Sequence, residues 1–293
     1  MVSFAVFGNP IKHSKSAEIY ALFAKEIGIS QQYNLYLASK NNFHYLLNNF
    51  FKSDGLGANI TAPFKEQAYF LCNKLTKRAK IACSVNTIKK IKNNILLGDN
   101  TDGIGLISDF KRLNWINKSN NHFDITETNE MTANILLIGA GGASKGIIPV
   151  LLTHIATGYH IHVVNRTFST AEKLVNLYYN LGWKNISCIP LNKLFFDINT
   201  KYSLIINATT SSVNNSVPEI PPFVINPTTK CYDLFYQSQD TSFITWCKRH
   251  GAKYCSDGLG MLVEQAAHAF FLWHNILPNT NSVIHYLRSS MQI

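Results

Sequence analysis

The residues of this chain that could do chemistry lie in a few glycine-rich, polar or basic segments, each at the end of an apolar run. The densest is Gly139-Ala140-Gly141-Gly142-Ala143-Ser144, which follows the run Asn134 to Ile138 and precedes an apolar helical pattern. Glycines there allow a tight turn and let backbone N–H groups approach a pyrophosphate at a helix N-terminus. A turn used only for packing is the alternative, and Ser144 stands where the strict dinucleotide fingerprint has Gly or Ala. At the end of the next run, Asn165-Arg166-Thr167 occupies the address at which an NAD site presents Asp or Glu to the ribose hydroxyls. A guanidinium there can clamp a 2'-phosphate by charge and forked hydrogen bonds, which favours NADP; a merely solvated loop arginine is the plainer reading.

Three further loops carry polar groups. Gly8-Asn9-Pro10-Ile11-Lys12-His13-Ser14-Lys15-Ser16 sets hydroxyls, amides and cations after the first apolar run. Ser14 and Ser16 are suited to bonding a carboxylate, and Ser16 is equally suited to N-cap the helix that follows. Asn59-Ile60-Thr61-Ala62-Pro63-Phe64-Lys65 gathers an amide, a hydroxyl and an amine, although a lysine on a helix surface needs no such role. Asp102, in the Gly98 to Gly103 loop, reads equally well as a turn or cap aspartate. The cysteines at 72, 83, 188, 231, 247 and 255 form no C-x-x-C pair, so neither a zinc cage nor a redox dithiol is signalled, and no metal is expected.

The elements that must position these groups follow from periodicity. Ser3 to Phe7 reads as a buried strand, and Ser16 to Ile27 as a helix with Ile19, Leu22, Phe23 and Ile27 on one face. The pattern recurs with Tyr33 to Leu37 as a strand, Phe43 to Phe51 as a helix, and Gly57 to Thr61 as a strand entering a helix at Pro63. Val85 to Ile91 and Ile95 to Leu97 read as a hairpin whose Asn93-Asn94 turn suits positive backbone angles. After an Ile104 to Leu113 helix comes an Asn-, Lys- and Thr-rich connection to Ala133. A second series then runs through strands at 134–138, 161–164, 204–207 and 230–234 and helices reaching Leu152, at 171–181, at 241–250 and at 261–273, with the spacing of a Rossmann half. The expected class is α/β, with a substrate domain at 1–105 to which 258–293 returns and a dinucleotide-binding domain at 106–257.

Composition narrows the function classes. The chain has 293 residues, 46% of them hydrophobic and 15% charged, ample for a buried core and unlike a disordered or disulfide-stapled protein. Neither a signal-peptide core nor a membrane-length apolar stretch is legible, so a soluble, cytoplasmic protein with reduced thiols is expected. The net charge of +10 is compatible with nucleic acid, an anionic substrate or solvated faces. The lysines are dispersed, and the cluster Lys89, Lys90 and Lys92 borders a turn rather than lining a helix, which argues against nucleic acid.

The ordered series G-N-P-I-x-H-S-x-S, N-I-T-A-P-F-K, V-N-T, G-D-N-T-D, G-A-G-G-A-S, N-R-T, N-A-T, Y-D-L-F-Y and D-G-L-G-M-L-V-x-Q-A-A resembles the shikimate dehydrogenase family from Phe4 to about Trp273. The resemblance implies an oxidoreductase that reduces 3-dehydroshikimate to shikimate with NADPH, as a monomer or homodimer. It further implies Lys65 and Asp102 as the catalytic pair, and Ser14, Ser16 and Tyr236 on the substrate carboxylate. Thr61, Asn86 and Gln265 would bind the ring hydroxyls, and Gly139, Ala140, Gly141, Gly142, Ala143, Asn165, Arg166, Thr167, Leu234 and Gly258 would line the cofactor. Hydride delivery to a ketone builds negative charge on its oxygen, which a positioned ammonium stabilises. A neighbouring carboxylate favours that ammonium, so Asp102 is expected to position Lys65 and to bind a substrate hydroxyl.

Three positions depart from the family pattern. Ala17 replaces a proline, Thr170 stands where a second basic residue often meets the 2'-phosphate, and Leu234 replaces a frequent methionine beside the nicotinamide, a nearly volume-conserving swap. Two other readings are a quinate or shikimate enzyme with relaxed cofactor use and a non-catalytic basic Rossmann protein that binds a ligand or nucleic acid. By family analogy Ser16, rather than threonine, argues against quinate, and the intact Lys65 and Asp102 argue against the non-catalytic protein.

Overall fold

Strand and helix alternate from the first residues, as the periodicity requires. The computed structural model describes residues 2–12, 14–116, 134–154 and 159–291. His13 and most of the Asn-rich connection, 117–133, lie outside the described residues. The chain divides into two compact units: unit 1 holds Met1–Leu106, Lys145–Pro149 and Leu262–Ser289, and unit 2 holds Ile107–Ser144, Val150–Met261 and Ser290–Ile293.

In unit 1, β1 (Ser3–Gly8), β2 (Gln32–Leu37), β3 (Gly55–Ile60), β4 (Lys74–Leu75), β5 (Thr87–Ile91) and β6 (Ile95–Asp99) form a six-stranded sheet in the order β2-β1-β3-β5-β6-β4. The pairs of β1 with β2 and β3 are parallel and those of β5 with β3 and β6 antiparallel. All six residues of β1 are buried, which is why it reads as an unbroken apolar run rather than an alternation. Helix α1 (Ser16–Ile27) buries Ile19, Tyr20, Phe23 and Ala24 and ends at Gly28 with φ 75°, the left-handed cap that glycine adopts without strain. Helix α2 (Phe43–Lys52) buries Phe43, Leu47, Phe50 and Phe51, one apolar stripe at helical spacing. Each such side chain contributes ~1.5–3 kcal/mol on burial.

Residues 262–274 of the long helix Leu259–His274 return to this sheet. The Trp273 indole Nε1 donates to the Ile88 carbonyl at 3.0 Å, and the backbone of Gly57 passes so close to that indole that no Cβ would fit. The basic cluster has a local use: Lys89 Nζ donates to the Leu272 carbonyl at 2.6 Å and Lys90 Nζ to the Phe51 carbonyl at 2.8 Å, both near helix C-termini where a cation is favoured. Asn93 and Asn94 take φ 60° and 56°, as the hairpin turn demands.

In unit 2 the strands β7 (Asn134–Ile138), β8 (His160–Val164), β9 (Ile186–Cys188), β10 (Tyr202–Asn207), β11 (Lys230–Asp233) and β12 (Tyr254–Ser256) form a second sheet, order β12-β11-β10-β7-β8-β9. Every pairing in it is parallel. That is the doubly wound order, and the strand order reverses between β7 and β10, the place where such sheets bind ligands. Its core packs Leu136, Ile138, Val164, Ile205, Phe243 and Ile244.

Several boundaries differ from the periodicity. The helix expected at Pro63 begins at Lys65, because Phe64 N–H turns back to the Thr61 carbonyl at 3.0 Å. The helix expected from Ile104 begins at Asp102, and that expected from Ala171 begins at Phe168. Strands β4, β9 and β12 and the helices Lys77–Ala82 and Leu191–Leu194 are too short to show a period. Helix Thr280–Ser290 buries only Val283 and Leu287, one turn apart.

Candidate active site

Lys65 is the first residue of the helix Lys65–Leu71 and Asp102 the first of the helix Asp102–Arg112. Asp102 suits the positive end of a helix and Lys65 does not, so the lysine needs a nearby anion. The two meet directly: Lys65 Nζ donates to Asp102 Oδ2 at 2.6 Å, with the lysine side chain 19% exposed and the aspartate 8%. Asp102 does not cap its own helix; its N–H is taken by Asn100 Oδ1 at 3.1 Å, leaving the carboxylate to its partners. A lysine has three N–H donors, and one of them is spent on Asp102.

The other carboxylate oxygen, Asp102 Oδ1, accepts from Asn86 Nδ2 at 2.7 Å. Asn86 is buried, and its Oδ1 accepts from the Thr101 N–H and the Thr87 hydroxyl, each at 2.9 Å. Gln265 Oε1 lies 3.4 Å from Asn86 Nδ2 and from Thr101 Oγ1. This approach depends on Gly105, where a Cβ would stand 2.6 Å from that of Gln265. Lys65, Asn86, Asp102 and Gln265 therefore share one polar cluster in unit 1, and the Asn59 amide belongs to it too, with Thr87 and Thr101, for which the sequence suggested no role. The signal for them was faint: each lies beside a motif residue in V-N-T, G-D-N-T-D or N-I-T.

Ser14 and Ser16 also come together, with their hydroxyl oxygens 3.1 Å apart. The capping alternative for Ser16 is corrected here. Lys15 holds the N-cap position without a side-chain bond, Ser16 opens α1, and its N–H is accepted by Ser14 Oγ at 3.3 Å. The Ser16 hydroxyl is thus free of capping duty. Thr61 follows β3 against Gly8, whose backbone leaves the Thr61 methyl no room for a Cβ, and its hydroxyl has no partner among the described residues. Tyr236 lies in unit 2, after β11; burial, and secondarily Asp257, raises its ionisation above the usual phenol range, so its hydroxyl stays neutral.

The glycine turn lies where the strand order reverses between β7 and β10 of unit 2. Gly139 has φ 106°, and a Cβ there would stand 3.0 Å from the Ala208 carbonyl group at the end of β10. Cβ atoms at Gly141 and Gly142 would meet nothing within 4 Å among the described residues, so close packing is not what calls for glycine there. Both positions are exposed, and helix Gly142–His154 begins there, the kind of helix N-terminus at which anions bind. Ser144, the departure from the fingerprint, is buried and donates to the Gly139 carbonyl at 2.8 Å, so a small hydroxyl tightens the turn. Arg166 and Thr167 are exposed after β8, and Asn165 Nδ2 holds the loop through the Thr167 carbonyl at 2.9 Å. Gly258 abuts the Leu234 carbonyl too closely for any side chain, which joins those two positions. Asp233 is a tie rather than a ligand residue. It accepts from Ser212 and Thr241 at 2.6 Å and from Asn207 at 3.1 Å, and burial raises its ionisation.

A parallel doubly wound sheet with an open glycine turn, and a second α/β unit holding a partly buried lysine–aspartate pair, define a dinucleotide-binding oxidoreductase of two α/β units. Models of the shikimate dehydrogenase substrate binding domain, of shikimate / quinate 5-dehydrogenase and of the shikimate 5'-dehydrogenase C-terminal domain match residues 6–88, 123–216 and 258–285. A shikimate dehydrogenase (NADP(+)) of Blochmanniella pennsylvanica (strain BPEN) is 68% identical over 290 residues, 99% of each chain, and one of Blochmanniella floridana is 54% identical over 294 residues, again 99% of each. The crystal structure of shikimate 5-dehydrogenase from Thermus thermophilus in complex with NADP(H) and shikimate superposes with a TM-score of 0.81 at 26% identity, covering 99% of this chain and 100% of that one. The chain belongs to the shikimate dehydrogenase family.

Proposed function

We propose that this protein catalyses the reversible, NADP-dependent interconversion of 3-dehydroshikimate and shikimate, with unit 1 holding the substrate and unit 2 the cofactor. The observation that carries the reading is the 2.6 Å Lys65–Asp102 pair inside a polar cluster, in a chain 68% identical to a shikimate dehydrogenase (NADP(+)). Bound NADPH supplies the hydride. Lys65 presents its remaining N–H donors to the ketone oxygen, stabilises the charge that builds there, and holds the proton at Nζ that completes the alcohol. Asp102 holds Lys65 in place through their 2.6 Å contact and accepts from a ring hydroxyl. Asn86, Gln265 and Thr61 supply the remaining hydroxyl contacts. The hydroxyls of Ser14 and Ser16 donate to the carboxylate.

The cofactor would lie along Gly139, Ala140, Gly141, Gly142 and Ala143, with Asn165, Arg166 and Thr167 around its 2'-phosphate and Leu234 with Gly258 beside the nicotinamide. The exposed Arg166 and the open turn fit a phosphorylated dinucleotide. Free thiols at all six cysteines suit a reducing, cytoplasmic compartment. An absorbance assay at the nicotinamide band, run with shikimate or quinate and with NADP or NAD, tests the reading. Turnover of shikimate with NADP supports it, and turnover of quinate alone would replace it.

A further inference from the structure

We propose that Thr87 is a positioning residue for the Lys65–Asp102 pair, its hydroxyl being the central link of a buried hydrogen-bond chain whose donors all point toward Asp102. The inference rests on the reading of that pair as catalytic. Thr87 is fully buried at the start of β5, where the strand pairings set it opposite Asn59 of β3 and Asp99 of β6.

The direction of the chain follows from its fixed donors. The Thr101 backbone N–H donates to Asn86 Oδ1 at 2.9 Å, which identifies that atom as the amide oxygen and turns Nδ2 toward Asp102. An amide oxygen only accepts, so the Thr87 hydroxyl, 2.9 Å away, spends its one proton there. Its oxygen then accepts from Asn59 Nδ2 at 3.2 Å, and Asn59 Oδ1 accepts from the Tyr33 hydroxyl at 2.7 Å. The order is Tyr33, Asn59, Thr87, Asn86, Asp102, and each link presents the positive end of its dipole to the next.

Two consequences follow. Bonds aligned in this way polarise one another, so the last donor, Asn86, is a stronger partner for the Asp102 carboxylate than an isolated amide. Second, no solvent reaches Thr87 to replace a lost hydroxyl. Without it Asn59 Nδ2 keeps the long 3.4 Å contact to the Asn86 carbonyl and its approach to the Tyr20 hydroxyl, and the Asn86 amide plane loses one of the two groups that hold its oxygen at 2.9 Å. The Asp102 carboxylate, bonded to Asn86 through one oxygen and Lys65 through the other, would shift with it. A small misplacement of a reacting group is costly in rate while leaving the distant cofactor contacts intact.

The test is Thr87→Val, which keeps the shape and removes the hydroxyl, beside Thr87→Ser, which keeps the hydroxyl and removes the methyl. Expected for Thr87→Val is a kcat for shikimate lower by about tenfold or more, with KM for NADP unchanged. Thr87→Ser should return kcat to within about threefold of wild type. A near wild-type kcat in folded Thr87→Val, or a Thr87→Ser as slow as Thr87→Val, overturns the proposal. Where Thr87→Val is not recovered folded, Tyr33→Phe removes the first donor; a kcat about two- to fivefold lower with KM for shikimate unchanged supports the chain, whereas an unchanged kcat, or a loss that appears in KM through the neighbouring Ser16, overturns it. Lys65→Ala, assayed alongside, separates the two readings: a crippled Lys65→Ala with a normal Thr87→Val sinks only the chain, whereas an active Lys65→Ala sinks the catalytic pair itself.

Discussion

In unit 1, Asn86 Nδ2 reaches Asp102 at 2.7 Å and Thr101 at 3.0 Å, its oxygen takes two donors at 2.9 Å, and Lys65 is paired at 2.6 Å. In unit 2, Gly141 and Gly142 face open space and Arg166 lies exposed beyond β8. The first site is a network whose members hold one another in place before any ligand arrives. The second is an exposed turn and an exposed arginine with no such network around them among the described residues. A change in the network should therefore spread to its neighbours and show in kcat, while a change in the cradle should stay local, show in KM and respond to salt.

The sharpest break is at the pair. Lys65→Ala and Asp102→Asn should each lower kcat by roughly a hundredfold or more, the usual worth of acid–base and charge stabilisation, with little effect on NADP binding. Their double variant should be scarcely worse than either alone, since the two act as a unit; additive losses in steady-state kinetics would show two independent groups. Next come Ser14→Ala and Ser16→Ala, each losing a bond to a charged group worth ~1.5–3 kcal/mol and so raising KM for shikimate. Because Ser14 accepts the Ser16 N–H, thermal denaturation should register Ser14→Ala and leave Ser16→Ala near wild type.

On the cofactor side, Arg166→Ala should raise KM for NADP about tenfold while leaving NAD alone, an effect kept modest by solvent exposure. Thr170→Arg, placing a cation in the first turn of the helix Phe168–Asn180, should lower KM for NADP, and both effects should shrink as salt rises. Equal use of NAD and NADP, unmoved by Arg166→Ala, would show that this loop does not read the phosphate.

The smallest effect concerns pH. Burial, followed by the neighbouring His160, lowers His162 to about 4, and burial also lowers His160. Above the ordinary histidine value of about 6.5 both folded and unfolded chains hold these rings neutral. As pH falls from about 6.5 toward 4, the unfolded chain takes up protons that the folded chain refuses, and stability is lost. After a discount for partial exposure His162 should contribute about 1–2 kcal/mol to that loss. Asp109 and Asp233, raised by burial, act in the opposite sense. The comparison is therefore between wild type and His162→Gln in thermal melts at pH 7 and pH 4.5. A variant that loses as much stability as wild type would remove His162 from the account.

Much of the architecture was legible because it is written at short range. The stripe Phe43, Leu47, Phe50 and Phe51, the unbroken apolar β1 and the Asn93-Asn94 turn each follow from a few neighbouring residues. The short strands and short helices were not, since two to six residues carry too little period to read and take their conformation from the sheet edge or helix they join.

What the sequence by itself determined is the alternation of strands and helices, the glycine turn after β7 and the arginine after β8, because apolar periodicity and backbone freedom are local properties. The family resemblance added the expectation that Lys65 and Asp102 work together. Tertiary structure alone decided which atoms meet. Lys65 and Asp102 are 37 positions apart and Asn86 and Gln265 179 apart, yet they share one cluster. It decided as well that Ser14 rather than Ser16 takes the helix N–H, that Lys89 and Lys90 bond helix carbonyls, and that Thr87 lies between two asparagines. Hydrogen bonds form over about 3 Å and depend on direction, so their partners are settled only when the sheet register and the returning helix bring distant segments into contact.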